Sequence, residues 1–239
     1  MTALTRPAIA AVDSTGQLDD VLGLPDHLRD ALWKAESAGL TEVEAAGGLI
    51  VAGMGGSSIG GALAKAALGD RVSRPIGLAR GYELPSWATP DTLILSIMAG
   101  VSVQALSSAL HDGQPIVRAM PNTPAQIGMG MSVWTCTSSV SATQREHARK
   151  VLSVMGEEIY ADHEDYLDMA TALNGSGPAY VFLFMEALID AGVHMGLPRH
   201  MAEKLVTQTV RGSVEFAGRS RQHPAQLRNA VTSSGGTTA

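Results

Sequence analysis

An apolar run of four residues, Leu49 to Ala52, leads straight into Gly53-Met54-Gly55-Gly56-Ser57-Ser58, and an Ala- and Leu-rich stretch continues to Asp70. Strand, glycine turn and helix in that order constrain the chain more than any other pattern in it. Glycines at 53, 55 and 56 let backbone N–H groups turn inward, and the helix N-terminus behind them carries a partial positive charge. The segment therefore suits either an anion or a close strand-to-helix crossing that binds nothing. Two further strands are expected within residues 74–80 and 91–97, separated by a Pro/Trp loop. Strands alternating with helices imply a parallel sheet with ligands at its carboxyl edge. An amphipathic helix over 18–39 precedes them, with Leu28, Ala31, Leu32 and Ala35 at helical spacing and Gly39 as its stop.

Two ligand classes compete for the glycine loop. Gly53, Gly55 and Ser58 approximate a dinucleotide fingerprint with serine in the third place, and Arg80, about 20 residues beyond Gly60, stands where an arginine meets an NADP 2′-phosphate. The other class is a sugar phosphate held by Ser57, Ser58 and the adjoining amides.

Composition narrows the remaining classes. A net charge of -6 with scattered Lys and Arg gives no footprint for a phosphate backbone, so nucleic acid is not an expected partner. A single cysteine, Cys136, excludes an internal disulfide and reads as a buried strand residue of a protein in a reducing cytoplasm. The seven histidines show no ligand spacing, and no metal site is expected. No uninterrupted apolar run reaches the ~18 residues of a membrane span, and no export signal opens the chain, so neither membrane nor secretion is expected. Hydrophobic residues at 45% suffice for buried cores in one large or two modest domains.

Past residue 110, strands are expected at 115–120, 131–137 and 157–161, with a helix at 141–155 between the last two. The pattern then turns helical: a short helix from Asp165 to Leu173, a long one from Pro178 to about Met195 stopped by Gly196, and another opened by Pro198. Tyr180, Phe184, Ala187, Ala191 and His194 form one stripe along the long helix, an apolar surface that needs a partner. Ser176, just before Pro178, is placed either to cap that helix or to touch a ligand.

Two family resemblances follow from longer segments. AVDSTGQLDDVLGLPDHLRDAL, GLIVAGMGGSSIGG and ARGYELPSWATPDTLILS, over roughly residues 11–96, resemble the opening of bifunctional phosphoglucose/phosphomannose isomerases of the sugar isomerase family. That family has glycine in place of Ser58 and a serine-rich phosphate loop after its third strand, where this chain has SIMAGVSVQAL. From about Ser96 onward, QPIVRAMPNTPAQIGMG, ALNGSGPAYVFLFMEALIDAGVHMGLPR and HPAQLRNAVTSSGGTT resemble pyrroline-5-carboxylate reductase. The chain therefore looks like a fusion with a seam near 96.

The second resemblance implies an α/β fold: a parallel-sheet, Rossmann-like N-terminal domain over 1–162 followed by an all-helical dimerisation domain over 163–239. It implies NADPH or NADH as cofactor, with Met120, Pro121 and Asn122 facing it; Gly53, Gly55, Gly56, Ser57, Ser58 and Arg80 join them as cofactor-binding candidates only through the dinucleotide pattern of the glycine loop. Ser176, Gly235 and Gly236 would take the substrate, Thr237 and Thr238 would orient the ring nitrogen, and a homodimer or higher oligomer would form through 163–239. Asn174 and Ser234 replace a serine and a proline of the family pattern, and the sequence ends at Ala239, where the resemblance places the start of a further helix. Three functions remain open at this point: reduction of 1-pyrroline-5-carboxylate to proline, a phosphosugar-binding module built on the glycine loop, and a dimerising fusion without catalysis.

Overall fold

The computed structural model describes residues 88–232, the strand residues 49–52 and 76–79, and Arg29, Trp33, Ser37 and Gly235. Arg29, Trp33 and Ser37 are helical, in the place of the expected opening helix. The rest of that helix and the glycine loop lie outside the described residues. The chain divides into two compact units, Met1–Gly175 and Ser176–Ala239.

In the first unit, β1 (Leu49–Ala52) and β2 (Ile76–Ala79) pair in parallel, with Leu49 opposite Ile76 and Ala52 opposite Ala79. A four-stranded sheet has the order β3 (Ile94–Ser96), β4 (Ile116–Met120), β5 (Gly130–Cys136), β6 (Gly156–Tyr160). Helix α1 (Val103–Ala109) joins β3 to β4, and α2 (Ala142–Ser153) joins β5 to β6. Both helical connections link parallel neighbours or strands one place on, as expected for crossovers.

One pairing departs from the expected parallel sheet: β4 and β5 are antiparallel. The reason is the length of chain between them. Residues 121–129 hold only a 3₁₀ segment, Thr123–Ile127, and a parallel return needs a crossover of roughly a dozen residues or more.

Side-chain alternation gives the sheet two faces. Val117, Ala119 and Trp134 point to one side, where Ala148 and Leu152 of α2 close a core with Val140. A capping box starts α2: the Gln144 N–H donates to Ser141 Oγ (3.2 Å) and the Ser141 N–H to Gln144 Oε1 (2.9 Å). Trp134 meets Tyr160 edge to face, and its indole N–H donates to Glu158 at 2.5 Å. Where β5 and β6 begin, Gly130 and Gly156 lie side by side, and Gly156 has φ 133. A Cβ on Gly156 would fall on the backbone of Gly130. Gly156→Ala is accordingly expected to cost at least about 2 kcal/mol, read as a lowered urea midpoint, through left-handed strain plus collision with main chain that cannot yield.

The other face is organised around a charge. Arg118, 5% exposed, sends Nη1 to Glu164 Oε1 (2.7 Å) and Nη2 to Asp168 Oδ1 (2.9 Å). Asp168 lies in α3 (Asp165–Ala170), and Glu164 is its N-cap residue. Glu164 Oε1 also accepts the Val103 N–H at the start of α1 (2.7 Å). Burial opposes the guanidinium charge, yet the hydrogen bonds donated to Asp168 and Glu164 outweigh it and hold the pKa above its ordinary value. Beside this cluster, Leu167 is fully buried against Val133 and Ala161. Helix α3 is thereby packed on the sheet and belongs to the first compact unit, although it lies beyond residue 162.

The second unit contains α4 (Gly177–His194), α5 (Arg199–Ser220) and α6 (Pro224–Val231). Gly192 is buried against Ala202, and a Cβ there would stand 3.0 Å from that of Ala202, so α4 and α5 approach closely at this point. Gly196, at φ 101, ends the α4 turn as expected. Most of the apolar surface of this unit is uncovered within one chain: Phe184 is 58% and Phe216 62% exposed. A stretch within Asp165–His194 is long and apolar enough to cross a membrane by length and composition, with a mean hydropathy of 1.2. The stretch passes that measure because isolated acids such as Glu186 and Asp190 are tolerated within it, whereas the expectation above counted apolar runs without them.

Candidate functional site

The expected site residues divide between the two units and the undescribed segments. Gly53, Gly55, Gly56, Ser57, Ser58, Arg80, Gly236, Thr237 and Thr238 lie outside the described residues. Gly235 is an exposed turn residue at φ 73, a backbone conformation that favours glycine. Ser176 precedes α4; its side chain makes no capping hydrogen bond, so the capping role is not filled, and Pro178 in the first turn leaves one fewer N–H to satisfy.

Met120, Pro121 and Asn122 stand together at the carboxyl end of β4, the edge at which open α/β sheets take ligands. All three are half-buried. The β4–β5 ladder reaches Met120 opposite Val133 and stops there. Beyond it the Met131 N–H donates to Asn122 Oδ1 (2.9 Å), which fixes the orientation of that amide. Asn122 Nδ2 then donates to Asn174 Oδ1 (2.7 Å), and Asn174 Nδ2 donates to Met131 O (2.9 Å) and, more loosely, to Met120 O (3.4 Å). Two side-chain amides thus continue the ladder where the main chains diverge. As a consequence the following 3₁₀ segment has no side-chain cap from Asn122.

Asn174 reaches the strand end because residues Thr171–Gly175 continue from α3 as a single π-helical turn. Such turns are rare and cluster at functional sites. Gly175 closes the contact: a Cβ on it would stand 2.9 Å from Met120 Cε. In the sequence Asn174 stands out only as a replacement for a serine of the family pattern. Its side-chain partnership with Asn122 spans 52 residues, and nothing local announces it.

Away from this strand end, an open depression of about 590 Å³ lies over α2, β5 and β6 and is lined by Trp134, Arg145, Arg149, Glu158 and Tyr160 among others. Its charges are largely matched internally: Arg149 pairs with Glu146 at 2.7 Å and approaches Glu158, while Arg145 lies over the Tyr160 ring at 4.6 Å. The Tyr160 phenol is pushed above its ordinary pKa by burial and by the neighbouring Cys136 thiol, 3.8 Å away. Cys136 itself is half-buried in β5. Among the described residues there is no cluster of three or more metal-ligating side chains.

With this geometry in place, the comparisons with known proteins are specific. Residues 164–239 match the family described as pyrroline-5-carboxylate reductase dimerisation. That stretch is therefore similar to the dimerisation part of pyrroline-5-carboxylate reductases. The pyrroline-5-carboxylate reductase of Pseudomonas aeruginosa is 45% identical over 149 residues, 62% of this chain and 55% of that protein. The Escherichia coli reductase is 39% identical over 157 residues, 65% of this chain and 58% of its own length. The chain thus spans a little over half the length of the curated relatives it matches. Among solved structures, the Plasmodium falciparum pyrroline carboxylate reductase with NADP bound is 38% identical with a TM-score of 0.59, covering 61% of this chain and 55% of that one. The Streptococcus pyogenes 1-pyrroline-5-carboxylate reductase, 28% identical with a TM-score of 0.65, covers 89% and 84%. The fold is accordingly α/β, a Rossmann-like unit with a mixed, mainly parallel sheet followed by a helical unit of the reductase dimerisation type.

Proposed function

We propose that this chain acts as a pyrroline-5-carboxylate reductase, moving a hydride from NADPH or NADH to the C=N carbon of 1-pyrroline-5-carboxylate while the ring nitrogen takes up a proton, to yield proline. The observation that carries the reading is the match of residues 164–239, which include Ser176 and the Gly235–Thr238 loop, to the reductase dimerisation family. The 45% identity to a curated reductase supports it.

The described residues suit the nicotinamide end of such a cofactor. Met120 and Pro121 offer a half-buried apolar wall at the carboxyl edge of the sheet, and the Asn122 amide is spent internally, so it holds the wall rather than reaching outward. The bound nicotinamide supplies the hydride; the protein's part is to orient the ring against the imine and to neutralise the substrate carboxylate. In this reading the loop around Gly53, Gly55, Gly56, Ser57 and Ser58 takes the pyrophosphate and Arg80 the 2′-phosphate. Gly235 and Gly236 take the carboxylate on backbone amides, and Thr237 and Thr238 orient the ring nitrogen. The exposed apolar surface of α4 and α5 is covered by a second copy of the chain, as a homodimer. A cytoplasmic location goes with this chemistry. Among the described residues no observation favours the phosphosugar alternative.

Purified protein supplied with 1-pyrroline-5-carboxylate and NADPH is expected to consume the reduced nicotinamide, followed by its absorbance, and to form proline. Consumption no faster than in a blank without protein sinks the proposal.

A further inference from the structure

We propose that Asn122 and Asn174 are a positioning pair that fixes the strand end Met120–Asn122 against the nicotinamide ring; this rests on the reductase reading above. Three observations converge on it. The amides replace backbone pairing at the one place where β4 and β5 separate, so the position of the strand end depends on side chains rather than on the ladder. Asn174 is delivered by a π-helical turn, an arrangement less favourable than continued α-helix and retained where it places a side chain that an α-turn cannot. Finally, the Met120 methyl packs on Gly175, at 2.9 Å from where a Cβ would stand, so the same turn that carries Asn174 also contacts the side chain on the strand.

The chemistry of the pair explains why both members are amides. Asn122 must accept from the Met131 N–H and donate onward, and Asn174 must accept from Asn122 and donate to two carbonyls. A carboxamide does both from one planar group, with two donor hydrogens beside its acceptor oxygen. A carboxylate at 174 keeps the shape, loses both donated bonds and sets negative charge against two carbonyl oxygens. A hydroxyl at 174, as in the resembling family's loop, keeps one donor with a shorter reach. Misplacing a hydride donor's surroundings by a fraction of an ångström is felt in the transfer step far more than in global folding.

The test compares the unaltered chain with Asn174→Asp and Asn174→Ser, using NADPH as probe. The two readouts are NADPH affinity with the emission of the bound nicotinamide, and the primary isotope effect on turnover with NADPH deuterated at the transferred position. Asn174→Asp is expected to bind NADPH about 10-fold more weakly, with emission moving toward that of free cofactor, and to turn over about 10- to 100-fold more slowly with a larger isotope effect. Asn174→Ser is expected to lose about 3-fold in affinity, and it carries the test if the aspartate variant does not fold. A latch that served folding alone would lower the unfolding midpoint while leaving affinity, emission and isotope effect of the folded protein unchanged, and that result overturns the proposal. If the unaltered chain itself leaves NADPH fluorescence unchanged, the cofactor reading falls and this inference with it. If the unaltered chain binds and a folded variant matches it, only the inference falls.

Discussion

Arg118→Ala is expected to destabilise the first unit by about 3–5 kcal/mol, seen as a large drop in urea midpoint with little change in slope. The size follows from what the guanidinium does in the sheet. It is almost fully buried, and it ties Glu164 and Asp168 to β4, while Glu164 in turn holds the first N–H of α1. Removing it leaves a half-buried carboxylate without its counter-charge and opens a hole on the face that α3 covers. A graded series tests the cause. Glu164→Gln keeps an acceptor for the Val103 N–H and should cost about 1–2 kcal/mol. Asp168→Asn should cost well under 1 kcal/mol, because that carboxylate is 70% exposed and its pairing is screened by water. An Arg118→Ala midpoint close to that of the unaltered chain would show that the cluster is incidental to folding.

Phe184→Glu combined with Phe216→Glu is expected to leave a folded monomer, weakening self-association by at least about 100-fold in sedimentation or light-scattering measurements. Both rings are more than half exposed in a single chain, at 58% and 62%, so their loss removes little intramolecular packing. In the proposed homodimer each is covered, and a carboxylate there would lose its water without gaining a partner. Helix content should persist while association fails. Association unchanged in the double variant, or an unaltered chain that is monomeric at micromolar concentration, would remove this surface as the dimer contact.

Local pattern was informative where backbone preference and neighbouring residues decide the outcome. Expected strands at 115–120, 131–137 and 157–161 appear as Ile116–Met120, Gly130–Cys136 and Gly156–Tyr160, and the helix expected at 141–155 as Ala142–Ser153. Pro178 and Gly196 bracket a helix because ring geometry and left-handed φ act at those residues alone. The helix expected to run from Asp165 to Leu173 instead becomes π-helical from Thr171, since Asn174 is drawn to a strand end 52 residues earlier. Arg118 offered one faint signal: a single charge in an otherwise apolar strand, with two acids four residues apart, Glu164 and Asp168, downstream. That spacing puts both acids on one helical face.

By itself, then, the sequence determined strands β4 to β6 and the helix between the last two, the proline start and glycine stop of α4, and the resemblance of its larger part to a reductase with a helical dimerisation domain, while α1 and α6 went unannounced. These depend on residues within a turn or two of one another. The tertiary structure alone decided that β5 runs against β4, that Arg118 is buried between two carboxylates, and that the Asn122 side chain is spent on Met131 and Asn174. Each of those outcomes is a contact between distant segments, whose free energy exists only once the chain has brought them within hydrogen-bonding range.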